Sequence, residues 1–422
     1  MYPRDTSSVF ESHLDYLYNL KRLGIKVGLS HTIELLKRCG NPQNNFKSVH
    51  IAGTNGKGST CAIIASILKT AGLKVGLYTS PHLIQFNERI RVNNNPIENA
   101  QIVRFIEQYK SDIDEIKSTF FETTTALAFQ HFSNQNIDIA IIETGLGGRL
   151  DSTNVLNPNV TVITPVSLDH CDILGNDILS VAGEKGGIIK KNIPLVIAPQ
   201  LSAVQNQFLK KAVKVGTSII KVEIPSNIQI TEWETRFKKK DQLFKIPLIG
   251  FHQAINAAVG IEVIQSFMPE IKKEIIDDGL NKVKWPGRLQ RMKKEYPIYY
   301  DVAHNSHGLQ SILETMSQIF NRKPSGLFVM KKNKEPDLVV QALENKFDQL
   351  ILSGAPELGL MSGYELSQKL SNFGLKDFVV MNRFQSALDH IVEITQKTSR
   401  PAIILGSHYI ARIVFNKFGF LF

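Results

Sequence analysis

The sequence contains few cysteines, and their positions fit neither a disulfide framework nor a metal site. Among its 422 residues only Cys39, Cys61 and Cys171 are cysteines, and no two of them are close in the chain. So low a count is typical of a reducing compartment. The chain also lacks an apolar run approaching about 18 residues, so we expect no membrane-spanning helix.

We expect no signal peptide at the start of the sequence. The first ten residues, MYPRDTSSVF, lack the basic stretch and the apolar core of a signal peptide. Together with the scarcity of cysteine, this predicts a cytoplasmic protein without a membrane partner.

A basic surface stripe is missing too, although the net charge is +10 and the pI is near 9.3. The basic residues are scattered, apart from short clusters such as residues 236–245. Since nucleic-acid modules concentrate basic and aromatic residues on one face, we expect no nucleic-acid partner. A basic chain also suits small acidic substrates, and the sequence favours that interpretation.

What the sequence does contain is a globular composition, with 43% hydrophobic and 21% charged residues. A chain of this length is too long for one ordinary core, so we expect two or three domains. Short β-branched runs alternate with longer helical patterns. This alternation predicts the α/β fold class with a mostly parallel sheet.

The order of these patterns predicts two α/β domains, residues 1–292 and residues 297–422, separated by the polar segment 288–297. Predicted strands of the first domain are residues 48–52, 74–78, 137–144, 159–165 and 193–199. Helical periods cover residues 59–72 and 251–267. Predicted strands of the second, smaller domain are residues 298–303, 326–330, 349–354, 377–381 and 401–406.

A variant of a phosphate-binding loop lies between the first predicted strand and helix, where residues 51–60 read IAGTNGKGST. In the usual pattern a hydroxyl residue directly follows the lysine. Here Gly58 follows Lys57, and the hydroxyls of Ser59 and Thr60 come later. A glycine-rich turn that opens a helix favours a bound anion, and Lys57 would meet the outer phosphates of a nucleotide.

Reactive side chains follow several predicted strands, at the edge of a parallel sheet where ligands bind. Glu143 ends an apolar strand and is the natural carboxylate for Mg²⁺, to which Ser80 adds a hydroxyl. His170 is a less typical Mg²⁺ ligand, because imidazole suits softer metals, and a hydrogen-bonded histidine at a strand end is its alternative role. The second domain places Asp301, His304 and Ser407 after its strands in the same way.

Ten motifs in chain order resemble those of one family. They read HIAGTNGKGST, TSPHL with FNERI, FFETTTALAF, ETGLGGRLDSTN, SLDHCDILG, GEKGGIIK, FHQAINA, WPGRL, YDVAHNSHG and GSHY. Together they resemble folylpolyglutamate synthase/dihydrofolate synthase of the Mur ligase superfamily, over essentially the whole chain. The resemblance implies an N-terminal phosphate-loop ATPase domain with a mostly parallel sheet, a smaller C-terminal Rossmann-like glutamate-ligase domain, and ATP between them.

The resemblance also implies roles for individual residues. The nucleotide-binding positions are Asn55, Gly56, Lys57, Gly58, Ser59, Asn256, Arg288 and Asp301. The positions that hold two Mg²⁺ ions are Ser80, Glu143 and His170. The contacts to the pterin-bearing substrate are Thr119, Phe120, Phe121, Glu122, Leu150, Asp151 and Ser152. Lys185 matches a lysine carried as a carbamate, and the incoming glutamate would bind near Asp301, His304 and Ser407.

The implied reaction is ATP-dependent ligation of L-glutamate to dihydropteroate, to the γ-carboxylate of a (tetrahydro)folate, or to both, through an acyl phosphate. Lys57 and the metal ions would cancel charge, Lys185 would act as a carbamate, and His304 would accept a proton or instead make a structural hydrogen bond. The partners would be ATP, folates and glutamate, and we expect a monomer. Two departures, at residues 330–337 and 353–360, fall on the glutamate side.

Two other functions fit part of the sequence. A phosphate-loop NTPase used as a switch or motor would hydrolyse ATP under the control of a nucleic acid or protein. A Mur-type or cyanophycin-type ligase would use another acidic substrate, but its loop would more often carry a hydroxyl directly after the lysine. Gly58 and the segment FFETTTALAF argue against that ligase.

Overall fold

The structure, a computed structural model, describes residues 6–23, 28–332, 334 and 336–420. The chain divides into two compact units, each built from two chain segments. The first comprises Met1–Ile224 and Asn256–Lys282, and the second comprises Pro225–Ile255 and Val283–Phe422. This division differs from the boundary predicted between 292 and 297, because residues 225–255 and 283–292 also pack in the second unit.

The first unit contains a parallel sheet with an antiparallel extension at one edge. Its eight strands have the order β4-β3-β2-β5-β1-β6-β7-β8, and only the pairs β2–β3 and β3–β4 are antiparallel. The strands are β1 (Lys47–Ala52), β2 (Val75–Tyr78), β3 (Ile90–Val92), β4 (Asn95–Pro96), β5 (Ile139–Glu143), β6 (Val160–Ile163), β7 (Leu195–Ile197) and β8 (Ile219–Lys221). The fold class and the predicted strands of this part are confirmed.

The helices associated with this sheet are given in chain order; the first two precede β1, and the ninth begins with residues of the second unit. They are α1 (Thr6–Asn19), α2 (Ser30–Arg38), α3 (Lys57–Thr70), α4 (Asn99–Ile116), α5 (Phe120–Asn134), α6 (Cys171–Leu174), α7 (Ile178–Lys185), α8 (Ser202–Val215), α9 (Phe251–Phe267) and α10 (Lys273–Asn281). Strands β2, β5, β6 and β7 are buried along their whole length, as expected of parallel strands covered on both faces. One hydrophobic cluster contains Phe129 and Ile142, and another contains Ile163 and Phe208.

The second unit contains two sheets. The antiparallel sheet has the order β11-β10-β9, with β9 (Ser226–Ile230), β10 (Thr235–Lys239) and β11 (Gln242–Ile246). The larger sheet has the order β12-β13-β17-β14-β15-β16, in which only the pair β12–β13 is antiparallel. Its strands are β12 (Gln290–Arg291), β13 (Ile298–Tyr300), β14 (Ser325–Phe328), β15 (Leu350–Ser353), β16 (Phe378–Met381) and β17 (Ala402–Leu405). Its helices are α11 (Ser306–Ile319), α12 (Asp337–Leu343), α13 (Gly363–Asn372), α14 (Phe384–Thr398) and α15 (Ala411–Phe418).

The small antiparallel sheet was not predicted from the sequence, where residues 236–245 stand out only as a basic cluster. Phe237 and Phe244 face each other across strands β10 and β11, with ring centroids 5.8 Å apart, and both are buried. The basic residues occupy the more exposed positions between them. The alternation of apolar and basic residues with a period of two was the signal for these strands.

Among the described residues, no helix combines the length and the hydropathy needed to cross a bilayer.

Candidate active site

The phosphate loop connects strand β1 to helix α3 and requires glycine at its centre. Gly56 has φ 84°, in the left-handed region that glycine adopts without strain. A Cβ placed on Gly56 would lie 2.3 Å from Oδ1 of Asn256, so no side chain fits there. The structure therefore brings Asn256 against the phosphate loop, although it lies 200 positions further along the chain. The resemblance implied only that both belong to the nucleotide-binding positions.

The rest of the loop is held by the segment after strand β6. Thr54 Oγ1 donates to the carbonyl of Ser167 (2.9 Å), and Asn55 Nδ2 donates to Ser167 Oγ (3.2 Å). Gly58 and Ser59 are buried in the first turn of α3, whose N-terminal amides favour an anion. Both belong to stretches that directly follow predicted strands: Thr54 precedes the predicted site residue Asn55, and Ser167 lies three residues before His170.

Three predicted site residues from three different strand ends meet beside this loop. Lys57 Nζ donates to the carbonyl of Thr54 (3.2 Å) and lies 4.0 Å from Glu143 Oε1. Glu143 is the last residue of β5 and is only 4% exposed. Its other oxygen, Oε2, accepts the backbone N–H of Ser80 (3.0 Å), which follows strand β2. The lysine thus compensates a buried carboxylate that would be costly alone.

These groups fit a magnesium site with few protein ligands. Among residues 6–23, 28–332, 334 and 336–420, no group of three or more His, Cys, Asp or Glu side chains could hold a metal ion. Magnesium usually takes one or two carboxylates and completes its shell with water and phosphate oxygens. Glu143 and Ser80 are such a sparse set of oxygen donors. His170 lies in the segment after β6 with its side chain 46% exposed and its backbone N–H donated to Asp169.

Lys185 ends helix α7 and is buried, with 5% of its surface exposed. Its Nζ donates to the carbonyl of Gly53 (2.8 Å), at the start of the phosphate loop. Burial lowers the pKa of Lys185 to about 7, and repulsion from Lys57 acts in the same direction. Lys185 is thus not a surface lysine, and the neighbouring Glu184 pairs with Arg149 (2.8 Å).

The two glycine-rich motifs after β5 and after α7 pack backbone against backbone. Arg149 N–H donates to the carbonyl of Glu184 (2.8 Å). A Cβ on Gly187 would lie 2.2 Å from Cα of Arg149, and one on Gly148 would lie 2.8 Å from the carbonyl oxygen of Lys185. The loop after β5 is therefore seated directly on the segment that carries Lys185.

The carboxylate of Asp151 is engaged within its own loop. Oδ2 accepts the N–H groups of Gly145 (2.8 Å) and Leu146 (2.9 Å), and Oδ1 accepts the N–H of Thr153 (3.0 Å). Burial raises the pKa of this carboxyl, and these hydrogen bonds oppose that effect. Direct contact of Asp151 with the pterin-bearing substrate stays a prediction, but its hydrogen bonds give it a role in shaping the loop.

The neighbours of Asp151 in the predicted substrate set are anchored to the rest of the unit. Leu150 is half-buried, and Ser152 is 9% exposed. The hydroxyl of Ser152 lies 2.7 Å from Thr125 Oγ1 on helix α5. This contact ties the end of the loop to the helix that carries the other predicted substrate residues.

The segment 119–122 forms the start of helix α5, and most of it has a structural role. Thr119 and Glu122 form a capping box, in which Glu122 Oε2 accepts the Thr119 N–H (2.7 Å) and Thr119 Oγ1 accepts the Glu122 N–H (3.4 Å). Phe120 is 1% exposed and stacks on Tyr18 with centroids 5.7 Å apart. Of the four residues, only Phe121 has an exposed side chain, at 43% exposure.

The predicted residues of the second unit lie before and after strand β13 and after strand β17. Asp301 is 3% exposed, and its two oxygens accept the N–H groups of Leu289 (2.7 Å) and Ala303 (2.7 Å). Burial raises the pKa of Asp301, while the nearby Arg288 acts against that shift. Asp301 thus fixes the turn that carries Arg288.

His304 and Ser407 are oriented by local hydrogen bonds. Nδ1 of His304 lies 3.0 Å from the carbonyl of Val302, which fixes Nδ1 as the N–H donor and Nε2 as the basic nitrogen. Ser407 is 4% exposed, its Oγ accepts the Tyr409 N–H (3.1 Å), and its carbonyl accepts the Tyr300 hydroxyl (2.8 Å). The ring of His304 is therefore oriented through Nδ1, and Ser407 shapes the segment after β17.

Known proteins resemble this chain along most of its length. The model of the Mur ligase middle domain matches residues 51–264. The dihydrofolate synthase/folylpolyglutamate synthase of Bacillus subtilis is 37% identical over 362 residues, which cover 80% of this chain and 83% of that protein. The folylpolyglutamate synthase of Lacticaseibacillus casei is 31% identical over 424 residues, covering 94% and 96%. The structure of Mycobacterium tuberculosis folylpolyglutamate synthase complexed with ADP and AMPPCP matches this structure with a TM-score of 0.90. The two sequences are 28% identical, and the match covers 99% of this chain and 100% of that chain.

Proposed function

The chain belongs to the folylpolyglutamate synthase/dihydrofolate synthase family of Mur ligases, and on this premise we propose that it joins L-glutamate to dihydropteroate, to (tetrahydro)folate, or to both. ATP supplies the driving force. The observation that carries the proposal is the meeting of Lys57, Ser80 and Glu143 beside the phosphate loop. Such a reaction belongs to folate biosynthesis and one-carbon metabolism.

The first chemical step joins two anions. A carboxylate oxygen of the pterin-bearing substrate attacks the γ-phosphorus of ATP, the bond from that phosphorus to the bridging oxygen breaks, and an acyl phosphate and ADP result. Lys57 and the N-terminal amides of α3 offset the negative charge, so the protein acts by positioning and electrostatic stabilisation.

The second step forms the amide. The neutral amine of glutamate attacks the acyl carbon, and inorganic phosphate leaves with the carbon–oxygen bonding pair. The ammonium of glutamate must first lose a proton, and we assign its acceptance to Nε2 of His304. The fixed Nδ1–H of that ring supports this role, because it leaves the basic nitrogen at Nε2.

The residues that would hold Mg²⁺ are Glu143 and Ser80, with His170 as the third ligand position of a site for two ions. When bound, Mg²⁺ supplies charge neutralisation at the phosphate oxygens. The burial of the Glu143 carboxylate supports this role, because a metal ion would add to the charge compensation that Lys57 gives from 4.0 Å away.

We assign a carbamate to Lys185 in the active enzyme. A neutral lysine amine adds CO₂, forms a nitrogen–carbon bond and releases a proton, so a cation becomes an anion with two oxygen acceptors. Burial and the proximity of Lys57 lower the pKa of Lys185 to about 7, which makes the neutral amine accessible at neutral pH. The change of sign also replaces repulsion from Lys57 with attraction.

The decisive assay measures ADP formation with glutamate, offering dihydropteroate and tetrahydrofolate in separate reactions. We expect ADP release to require both glutamate and at least one pterin-bearing acid, and the product to gain the mass of one glutamyl residue. Hydrolysis of ATP without glutamate, stimulated by nucleic acid or protein, would favour the NTPase switch instead. Activity with a non-pterin acidic substrate alone would favour the Mur-type or cyanophycin-type alternative. We further propose that the enzyme is cytoplasmic and monomeric. Sedimentation of the purified enzyme tests the monomeric state.

A further inference from the structure

His50 is a buried imidazole in the central strand β1 that the proposed reaction does not use. It pairs with Ile142 of β5 and Thr161 of β6, and it is 0% exposed. A polar ring in this position is costly unless it is hydrogen bonded. Its Nε2 lies 2.8 Å from Thr153 Oγ1, whereas Nδ1 has no hydrogen-bond partner in the part of the chain that the structure describes. The ring is therefore tied to its surroundings through one nitrogen, on the side of Thr153.

The direction of this hydrogen bond follows from the groups beyond Thr153. The Thr153 hydroxyl also lies 2.5 Å from Asp151 Oδ1, and three backbone N–H groups donate to the same carboxylate. Three such donors favour the ionised carboxylate, which only accepts, so the Thr153 hydroxyl donates to Asp151. The hydroxyl then accepts from His50, which places the proton on Nε2. Burial lowers the pKa of His50 to about 3, with repulsion from Lys190 adding to it, so the ring stays neutral.

The chain of hydrogen bonds ends on the loop after strand β5. Asp151 Oδ2 accepts the N–H groups of Gly145 and Leu146, which are the second and third residues beyond Glu143. A Cβ placed on Gly145 would lie 3.6 Å from the ring of Phe121, the exposed aromatic residue of the predicted substrate set. The strand that leads into the phosphate loop thus also fixes the loop next to Phe121.

We propose that His50 is a positioning residue that holds the loop 145–153 in shape for the pterin-bearing substrate, acting through Thr153 and Asp151. The name of the substrate rests on the proposed function, whereas the hydrogen-bond relay does not. His50 itself touches no reacting group in this scheme, and the nucleotide does not depend on it directly.

Matched variants separate the hydrogen bond from the volume of the ring. His50→Leu removes the donor at similar size, and His50→Gln keeps an N–H group at the corresponding reach. Thr153→Val removes the hydroxyl, and Thr153→Ser keeps it. We expect His50→Leu and Thr153→Val each to raise the KM for the pterin-bearing substrate about five- to tenfold, the equivalent of one lost buried hydrogen bond, with the KM for ATP nearly unchanged. His50→Gln and Thr153→Ser should keep the KM for the pterin-bearing substrate close to that of the wild type. The double variant His50→Leu/Thr153→Val should raise this KM little more than either single variant does.

Hydrogen exchange of individual amides tests the relay without any assay of activity. The Gly145 and Leu146 amides should exchange faster in His50→Leu and Thr153→Val, and recover in His50→Gln and Thr153→Ser. The amides of Ile51 and Ala52 in β1 serve as the control and should keep their protection.

Unchanged exchange at Gly145 and Leu146, or equal loss of protection along all of β1, would overturn the relay. Equal increases in the KM for ATP and for the pterin would overturn it as well. If the exchange pattern appears but the wild-type enzyme ligates no pterin substrate, the relay stands and the proposed function fails.

Discussion

At the scale of single residues, the site is organised by two lysines with opposite surroundings. Lys57 has Glu143 at 4.0 Å and a side chain that is 17% exposed, so it is a compensated cation at the phosphate loop. Lys185 is buried against the carbonyl of Gly53, and its pKa falls to about 7. The first lysine therefore pairs with a carboxylate at the phosphate loop, and the second is accessible as a neutral amine.

Substitution of Lys57 by alanine should abolish turnover and leave the fold intact. The side chain is partly exposed and meets a carboxylate and a carbonyl, not the core, so its loss should lower kcat by about 10²–10³-fold or more. Turnover and a thermal melt of the same preparation check both parts. Near-normal ligation in this variant would mean that the loop does not bind the phosphates.

Glu143→Gln should collapse activity while the packing of the site is kept. Glutamine has the same shape and its carbonyl oxygen still accepts the Ser80 N–H, but the charge that faces Lys57 and attracts Mg²⁺ is gone. Activity should therefore recover little when Mg²⁺ is added. A titration of activity with Mg²⁺ measures this, and an unchanged Mg²⁺ dependence would identify Glu143 as a structural carboxylate.

Lys185→Ala should be nearly inactive, and a short carboxylate such as acetate should partly restore it. Lys185→Arg should not replace the lysine, because a guanidinium forms no carbamate. With a pKa of about 7, the amine is mostly protonated below pH 7 and mostly neutral above it, so carbamate and activity should rise as the pH passes through 7. Carbon-13 NMR of the enzyme in labelled CO₂ gives a direct readout, and the absence of a Lys185-dependent carbamate signal would contradict the assignment.

At the scale of elements, the decisive contact is that between the loop after β5 and the segment after α7. Both motifs are rich in glycine because their backbones touch, with Gly187 against Cα of Arg149. The capping box of Thr119 and Glu122 orients helix α5 on the other side of the loop. The loop after β5 is thus set by backbone contacts, and few of its side chains are available to a ligand.

Gly187→Ala should destabilise the protein by about 1–3 kcal/mol and raise the KM for the pterin-bearing substrate, because its Cβ would lie 2.2 Å from Cα of Arg149. Gly183→Ala is the matched control, since its Cβ would meet only the flexible end of Gln207 at 3.2 Å. Alanine in helix α7 should make that control as stable as the wild type or slightly more so. Denaturant unfolding of both variants measures the difference, and equal stability would refute the close backbone contact.

At the scale of the whole molecule, each compact unit is built from two separate stretches of chain. The core of the second unit includes Ile249 and Leu289, which lie before residue 297. Strand β12 also precedes that residue and pairs with β13. A cut at the boundary predicted from the sequence would remove these contributions from the unit that uses them.

A fragment of residues 283–422 should therefore unfold at a higher denaturant concentration than a fragment of residues 297–422. The longer fragment keeps the buried side chains of Leu289 and Met292 and the pairing of β12 with β13. Burial of one such side chain contributes about 1.5–3 kcal/mol. Urea unfolding followed by circular dichroism compares the two, and identical midpoints would show that residues 283–296 add nothing to the core.

The sequence by itself determined the elements that local patterns encode. The strands β1, β2, β5, β6 and β7, the helix α9 and the phosphate loop all appear where hydrophobic period and glycine placement predicted them. The small antiparallel sheet was not predicted, because its inward-facing phenylalanines are surrounded by lysines and the segment was interpreted only as a basic cluster. The domain boundary was also not determined by a local pattern. A polar segment indicates a loop, but it does not show in which unit the residues on either side of that loop pack.

Only the tertiary structure decided how distant residues share the site. It placed Asn256 against Gly56, buried Lys185 beside Gly53 and linked His50 to Asp151 through Thr153. Nothing near these residues in the chain encodes such contacts, because the burial of a lysine or the approach of two backbones depends on how strands and helices pack. Sequence patterns give the period of an element, and packing determines which groups lose water and which partners they find.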